Sequence, residues 1–234
     1  MKKTVYHQSE KNKNWPSLSS LLNLNDDDSK ITLIIGSFNP YNNSGSNPDY
    51  YYGRNSNYFW KIISKIKENN DDDYYTNSEI STEDRLNRKK EALKNKFICL
   101  DLIKSIDVIG EENDVDDFIK NNVFKNYFDS KIFTTVHREK KVKVIRDYDT
   151  QRIVNTINSE KIKSVIHTLG GRIKSGKTSP IELSKEIEII QNVCNQNDIE
   201  FIFSSESPSQ INVNRFHSGK IGNLVNHYRW LLDL

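Results

Sequence analysis

Apolar positions along this chain come in short runs of two kinds, separated by long polar stretches. Ile31 to Ile35 is a continuous, mostly β-branched run that stops at Gly36, the pattern of a strand buried on both faces. From about Tyr58 to Glu68 the apolar residues Phe59, Ile62, Ile63 and Ile66 recur at helical spacing, which predicts a helix with one core-facing stripe. Ser81 with Asp84 makes a capping box for a charged helix reaching about Phe97. Phe97 to Ile103 suits either a strand or a buried helical segment. Lys131 to Val136 predicts a strand, followed by a basic loop. Asp149 caps a helix to about Ser159, and Lys163 to Leu169 predicts the next strand. Pro180 opens a helix with Leu183, Ile187, Ile190 and Cys194 on one face. Ile199 to Phe203 is the last predicted strand. Ile221, Leu224, Val225, Tyr228 and Leu232 then stripe a final helix.

Strands alternating with helices predict an α/β fold, a three-layer α/β/α sandwich around a central, mostly parallel sheet. The expected organisation is one domain over residues 31–234, preceded by a polar lead-in over residues 1–30 that ends in Asp26-Asp27-Asp28. A second acidic triplet, Asp71 to Asp73, lies in a solvated loop; both triplets read as surface. The connection after Gly36 is about twenty residues long, well beyond the usual link between elements, which points to function. Open α/β sheets bind ligands outside the carboxyl ends of their strands, and that is where this loop begins.

Composition narrows the classes without choosing among them. In 234 residues, 34 Lys and Arg against 32 Asp and Glu leave a net charge of +2. A nucleic-acid binder of this charge must gather its basic residues on one face, because the phosphate interaction is local. Cys99 and Cys194 each sit inside an apolar run and read as small buried hydrophobes in a reducing cytosol. No four-cysteine set and no HxH or HExxH spacing supports a metal or an iron–sulfur cluster. No apolar stretch reaches eighteen residues and the basic amino terminus has no apolar core, so a soluble cytoplasmic protein is expected, with no membrane partner.

Gly171 to Thr178 (GRIKSGKT) matches the phosphate-binding pattern GxxxxGK[ST] after a strand, and a nucleotide-binding protein is therefore one reading. Pro180 falls two residues later, inside the helix that should begin there, where its ring and missing N–H are awkward. The one strand that follows ends in Ser204-Ser205 and not in the Asp that a magnesium site needs. Chance within a Lys/Ser/Gly loop is the preferred explanation.

Two other loops carry more chemistry. Asn39-Pro40-Tyr41 follows the first strand directly: an amide that can position water, a rigid proline and an aromatic wall. Tyr50-Tyr51-Tyr52 adds stacking faces, and Arg54, Asn55 and Asn57 add hydrogen bonds. Flat rings among amides suit a flipped-out base, although a Tyr-rich surface loop packing on itself is the plainer reading of the segment alone. After the last strand, Ser204 to Gln210 sets hydroxyl residues around Pro208, with Arg215 nearby, a composition that binds phosphate; alone it is an ordinary turn.

Taken in order, GSFNPY, YYYGRNSNYFW and FSSESPSQ resemble the motifs of the uracil-DNA glycosylase superfamily, most like its mismatch-specific and hypoxanthine-removing branches. The resemblance spans roughly residues 31–232, with its specific matches confined to these three segments. It implies that Asn39 positions the attacking water and that Ser37 and Phe38 give backbone contacts to the base. Tyr41 would block one edge of the base, Tyr52 would stack on it, and Asn57 is the Asn ahead of Phe-Trp. Ser205 falls at a catalytic position, Ser207 and Ser209 at the phosphate-binding loop, and Gln210 near a tip that intercalates. Three departures bear on the substrate: Gly-Arg-Asn replaces Ala-His-Pro, Glu206 adds charge beside the DNA, and one extra residue separates Gly36 from Pro40. Arg54 and Asn55 are then the residues to watch for an unusual base.

The function implied is that of a monofunctional DNA glycosylase, a monomer without cofactor or metal. It would excise a deaminated or modified base, including modified bases of viral DNA in a defence role. A catalytically silent DNA-binding relative is the competing reading within the same family.

Overall fold

A computed structural model of the protein describes residues 1–13, 15, 17, 31–45, 47, 50–53, 57–67, 97–125, 127, 129–159, 161–169, 181–203, 207–209 and 213–214. In chain order the elements begin with strand β1 (Lys2–Tyr6), helix α1 (Gln8–Lys11), β2 (Ile31–Gly36) and α2 (Phe59–Lys67). Next come β3 (Phe97–Asp101), β4 (Ile103–Ile109), α3 (Glu112–Phe118) with a π-helical continuation at Ile119–Lys125, and α4 (Asp129–Phe133). The series ends with β5 (Val136–His137), β6 (Val142–Tyr148), α5 (Thr150–Ile157), β7 (Ile162–His167), α6 (Ile181–Gln196) and β8 (Glu200–Phe203).

These strands make two sheets. One is four-stranded and wholly parallel, in the order β3-β2-β7-β8. β2 lies inside it with every residue buried, as its unbroken apolar run requires. The two hydroxyls that interrupt the apolar surface there satisfy each other: Thr32 Oγ1 and Ser164 Oγ lie 2.9 Å apart across β2 and β7. Helix α2 buries Phe59, Trp60, Ile62 and Ile63, and α6 buries Leu183, Ile187, Ile190 and Cys194, the stripe read from the sequence. Phe97 to Asp101 resolves as a strand, paired in parallel with β2.

The second sheet is antiparallel, in the order β1-β4-β6-β5, and it changes the expected picture. Lys2–Tyr6, anticipated as the start of a loosely packed lead-in, is an edge strand paired with β4 from Lys2↔Ile109 to Tyr6↔Ser105. Residues 137–148, anticipated as a basic loop, hold β6, in which Val142 and Val144 are buried while Lys143, Ile145 and Asp147 face outward. Alternation of this kind is what a half-buried strand requires. Lys131 to Val136, anticipated as a strand, is instead the end of α4 followed by the two-residue β5. Ile132 and Phe133 are buried there, and Arg146 from β6 donates to the carbonyls of Ile132 and Phe133 at 3.1 and 3.4 Å. Local β-propensity is overridden by that packing. The capping-box helix after Ser81, the final helix around Ile221 to Leu232 and residues 18–30 lie outside the described residues.

On the outward row of the second sheet, Lys2 Nζ lies 2.6 Å from Asp107 and Thr4 Oγ1 donates to the same carboxylate at 2.6 Å. Partial burial opposes ionisation of Asp107, but Lys2 and Thr4 outweigh it and hold the carboxyl below its ordinary value. Among the described residues no helix is long and apolar enough to cross a membrane.

Both cysteines are buried and free. Burial pushes the Cys194 thiol up to about 11 from its ordinary 9.0, and drives Cys99 well up too, with the Asp101 carboxylate adding to the effect of burial. A raised thiol pKa stabilises the fold below the unfolded value, because the unfolded chain gains nothing by ionising there. Stability is then lost as pH climbs from about 9 towards 11 through Cys194. The expected outcome is that neither thiol reacts with a disulfide reagent at pH 8 in the native protein and both react once unfolded. Fast labelling of the folded protein would contradict the packing described.

Candidate functional site

All four strands of the parallel sheet run the same way, so their carboxyl ends share one edge. From β2 the chain crosses to β3 on one side, and from β7 it crosses to β8 on the other. The neighbouring pair β2 and β7 therefore marks the switch point at which α/β sheets open a crevice. The loop leaving β2 at this point holds most of the residues singled out from the sequence, while the serine-rich segment follows β8 in the chain. Tyr52 Oη and Thr168 Oγ1 meet 2.8 Å apart across it, and Thr168 N–H donates to the Ile35 carbonyl at 2.9 Å.

At the centre is a residue that the sequence reading passed over. Asp101 ends β3 directly beside Gly36 at the end of β2, and it is buried. Its Oδ2 accepts Asn39 Nδ2–H at 2.5 Å and bonds His7 Nε2 at 2.9 Å. His7 caps the short helix α1: its Nδ1 accepts the Ser9 N–H at 3.0 Å. An Nδ1 engaged as an acceptor assigns the ring proton to Nε2, so His7 is the donor to the carboxylate. Trp15, Phe38 and Tyr51 surround the imidazole, with ring centroids at 5.6, 6.1 and 6.1 Å. Burial, with Asp101 next, pushes the Tyr51 hydroxyl far above its ordinary value, which keeps it neutral in this enclosure.

The segment from Tyr6 to Gln8 straps the loop that carries Asn39. Gln8 N–H donates to the Asn39 carbonyl and Tyr41 N–H to the Tyr6 carbonyl, both at 2.8 Å. Gln8 Nε2 reaches the Pro40 carbonyl at 3.0 Å and Asn47 Oδ1 at 2.6 Å. The backbone around Asn39 is thus fixed by strand-like bonds, and its side chain by a carboxylate.

Of the other residues predicted, Phe38 is buried and Tyr41 is half-buried. Ser37 Oγ donates to Asp129 Oδ1 at 2.6 Å, with Tyr127 Oη 3.1 Å away. Tyr52 is buried, its ring stacked on Phe59 at 4.5 Å and 29°. Asn57 serves the start of α2: its Oδ1 accepts the Phe59 N–H at 2.9 Å. The carboxyl-terminal segment does meet this one, since Asn57 and Ser209 form an antiparallel bridge and Tyr58 N–H donates to the Pro208 carbonyl at 2.7 Å. Ser207 and Ser209 are half-buried. Arg54, Asn55, Ser205, Gln210, Arg215 and the whole of Gly171–Thr178 lie outside the described residues.

One contact makes a sharp test of this geometry. A Cβ on Gly36 would lie 2.2 Å from Asp101 Oδ1 and 3.1 Å from Tyr52 Oη. Gly36→Ala must therefore push the carboxylate off its two donors, and a loss of about 3 kcal/mol is expected from overpacking combined with a broken buried network. Urea denaturation measures it; a variant within 0.5 kcal/mol of the parent, as ~0.5 is the usual surface range, would show that Asp101 is not seated there.

No protein-family model, curated protein or solved structure matches the chain, so the site is read from its own residues.

Proposed function

We propose that the protein is a monofunctional DNA glycosylase that flips a deaminated or modified base out of DNA and hydrolyses its N-glycosidic bond. The observation that carries this reading is the meeting of three segments, two from the long connection after β2 and one from far along the chain. Asn39 lies at the end of β2, and Tyr52 contacts Thr168 beside it. Ser207 to Ser209 reach the same region through the Asn57↔Ser209 bridge. Water, base and phosphate contacts are needed together in one event, and these are the segments to which the resemblance assigns them.

In the reaction the C1′–N bond breaks with its electron pair leaving on the base, and water adds to C1′. The proton from that water ends on the departing base or in solvent. The sugar passes through an oxocarbenium-like state, so the protein's task is a placed water and electrostatic support for the leaving base. Asn39 cannot take a proton at neutral pH; it orients the water through a hydrogen bond. That predicts slow chemistry or a base that leaves easily. Tyr52 is the aromatic on which the base stacks. Ser205 stands at the second catalytic position, Ser207 and Ser209 hold the backbone, with Arg215 contributing charge, and Gln210 fills the gap left in the stack. Arg54 and Asn55 discriminate the base. Ser37, Phe38, Tyr41 and Asn57 shape the wall around it.

The same reading carries a three-layer α/β/α arrangement with it, acting as a monomer in the cytoplasm on DNA. The strand order supports the layering. With the right-handed connections that parallel strands ordinarily use, crossovers from β2 to one side and from β7 to the other would run over opposite faces of the sheet.

The test is a panel of oligonucleotides carrying uracil, hypoxanthine, mismatches and modified cytosines, with alkaline cleavage revealing abasic sites. Strand breaks at one class of base are expected. Asn39→Ala should then slow single-turnover excision by ~100-fold while DNA affinity stays within a few-fold, as for the loss of one preorganised polar group. Binding without excision across the panel would favour the catalytically silent relative, and an unchanged rate in the variant would remove Asn39 from the mechanism.

A further inference from the structure

We propose that Asp101, anchored by His7, is a positioning residue that sets the Asn39 amide with Nδ2 inward and Oδ1 turned to the attacking water. This rests on the glycosylase reading and adds two residues to it, neither carried by the three motif segments.

The two ends of an Asn side chain are nearly the same size, so packing alone does not choose between them. Charge does. Asp101 Oδ2 lies 2.5 Å from Asn39 Nδ2. A flipped amide would set its carbonyl oxygen against a carboxylate oxygen, two acceptors with no proton between them. Among the described residues the Asn39 side chain makes that one hydrogen bond, which leaves Oδ1 to accept from a water O–H. A water held by one of its hydrogens presents its lone pair elsewhere, which is what attack on a sugar carbon needs.

The carboxylate itself needs fixing, and His7 fixes it. The Ser9 N–H occupies His7 Nδ1, so Nε2–H points at Asp101 Oδ2, 2.9 Å away. Both side chains of that pair are almost fully buried, at 4% and 3% exposure, so water does not substitute for His7 as the donor. The orientation runs in one sequence: the turn at α1 sets the imidazole, the imidazole holds the carboxylate, and the carboxylate sets the amide.

Three variants and one spectrum test this. Asp101→Leu keeps the branched shape, with methyls in place of the carboxylate oxygens, and removes the acceptor; single-turnover excision should fall about as far as in Asn39→Ala, ~100-fold, with DNA affinity within a few-fold. Asp101→Asn offers a carbonyl to the same two donors and should stay within ~10-fold of the parent, since a neutral acceptor loses only part of the bond. His7→Phe keeps a ring beside Trp15 and should cost ~10-fold, the worth of one hydrogen bond to a charged group. The decisive arm is the double variant Asn39→Ala/Asp101→Leu, expected to be no slower than Asn39→Ala alone, because Asp101 acts through Asn39. Losses that multiply would overturn the proposal and leave Asp101 a structural residue.

The second readout is independent of activity. With asparagine 15N-labelled, the Nδ2 protons of Asn39 are identified by their disappearance in Asn39→Asp. They should exchange slowly and lie away from the exposed-amide region in the parent, and return to that region in Asp101→Leu or, should that variant not fold, in His7→Phe. Fast-exchanging, exposed-type Asn39 protons in the parent overturn the proposal whatever the activity. If the bonded signature is present and no base is excised, the reaction assigned to the site is wrong while the orientation set by Asp101 holds.

Discussion

A carboxylate occupies the space where any residue but glycine would carry its Cβ. Asp101 Oδ1 lies 2.2 Å from the Cβ position of Gly36, one register step across the β2–β3 pair. A charge buried to that depth is tolerable only with donors aimed at it, and leaving a buried polar group without its partner costs about 1–3 kcal/mol, more for a charged one. That is a large part of the roughly 5–15 kcal/mol that holds a domain together. The donors come from two places far apart in sequence, His7 and Asn39. The loop after β2 and the amino-terminal segment are therefore bound to β3 by one group, and neither can shift alone.

The antiparallel sheet is part of the same arrangement. β3 passes into β4 through Leu102, whose N–H donates to the Gly36 carbonyl at 3.0 Å, and Ile103 N–H then donates to the Ser37 carbonyl at 3.0 Å. The strand leaving the site thus laces the loop that enters it. β1 pairs along β4, and its continuation at Tyr6 to Gln8 carries His7 to Asp101 and straps Asn39 to Tyr41. Pairing in one sheet sets side chains at the edge of the other.

This division explains which parts were legible beforehand. β2, α2, β7 and α6 announce themselves because their burial is near-complete or one-sided and their periods are unbroken, and β8 shows as a short apolar run. β1 and β6 do not. Their outward rows are Lys2, Thr4 and Tyr6, and Lys143, Ile145 and Asp147, so a half-buried strand rich in charge resembles a basic loop. α4 failed for the opposite reason: Ile132 and Phe133 look like a strand until their partners across the chain are known. At the site, Asn39 was visible as an amide set straight after a buried strand. Asp101 is a single acid closing an apolar run, and His7 lies 94 residues from it in sequence, so nothing local marks either. The one available signal was an acid at the carboxyl end of a run apolar enough for a central strand.

Tyr52 shows how the enclosure shapes the loop as well as the charge. It has a φ of 56°, in the left-handed region, in a turn closed by Gly53 N–H donating to the Tyr50 carbonyl at 3.1 Å. The glycine that would relieve that conformation stands one position later, so the turn holds about 1–3 kcal/mol of strain. Three contacts oppose its relaxation: Tyr52 Oη with Thr168 Oγ1, the Tyr52 ring on Phe59, and Trp60 Nε1–H donating to the Tyr51 carbonyl at 2.8 Å. A tyrosine constrained in this way loses little freedom when something stacks on it. On the glycosylase reading, the entropy that a mobile loop would lose at the moment of base flipping has already been lost in folding, and the stacking energy is left to offset the unpaired base.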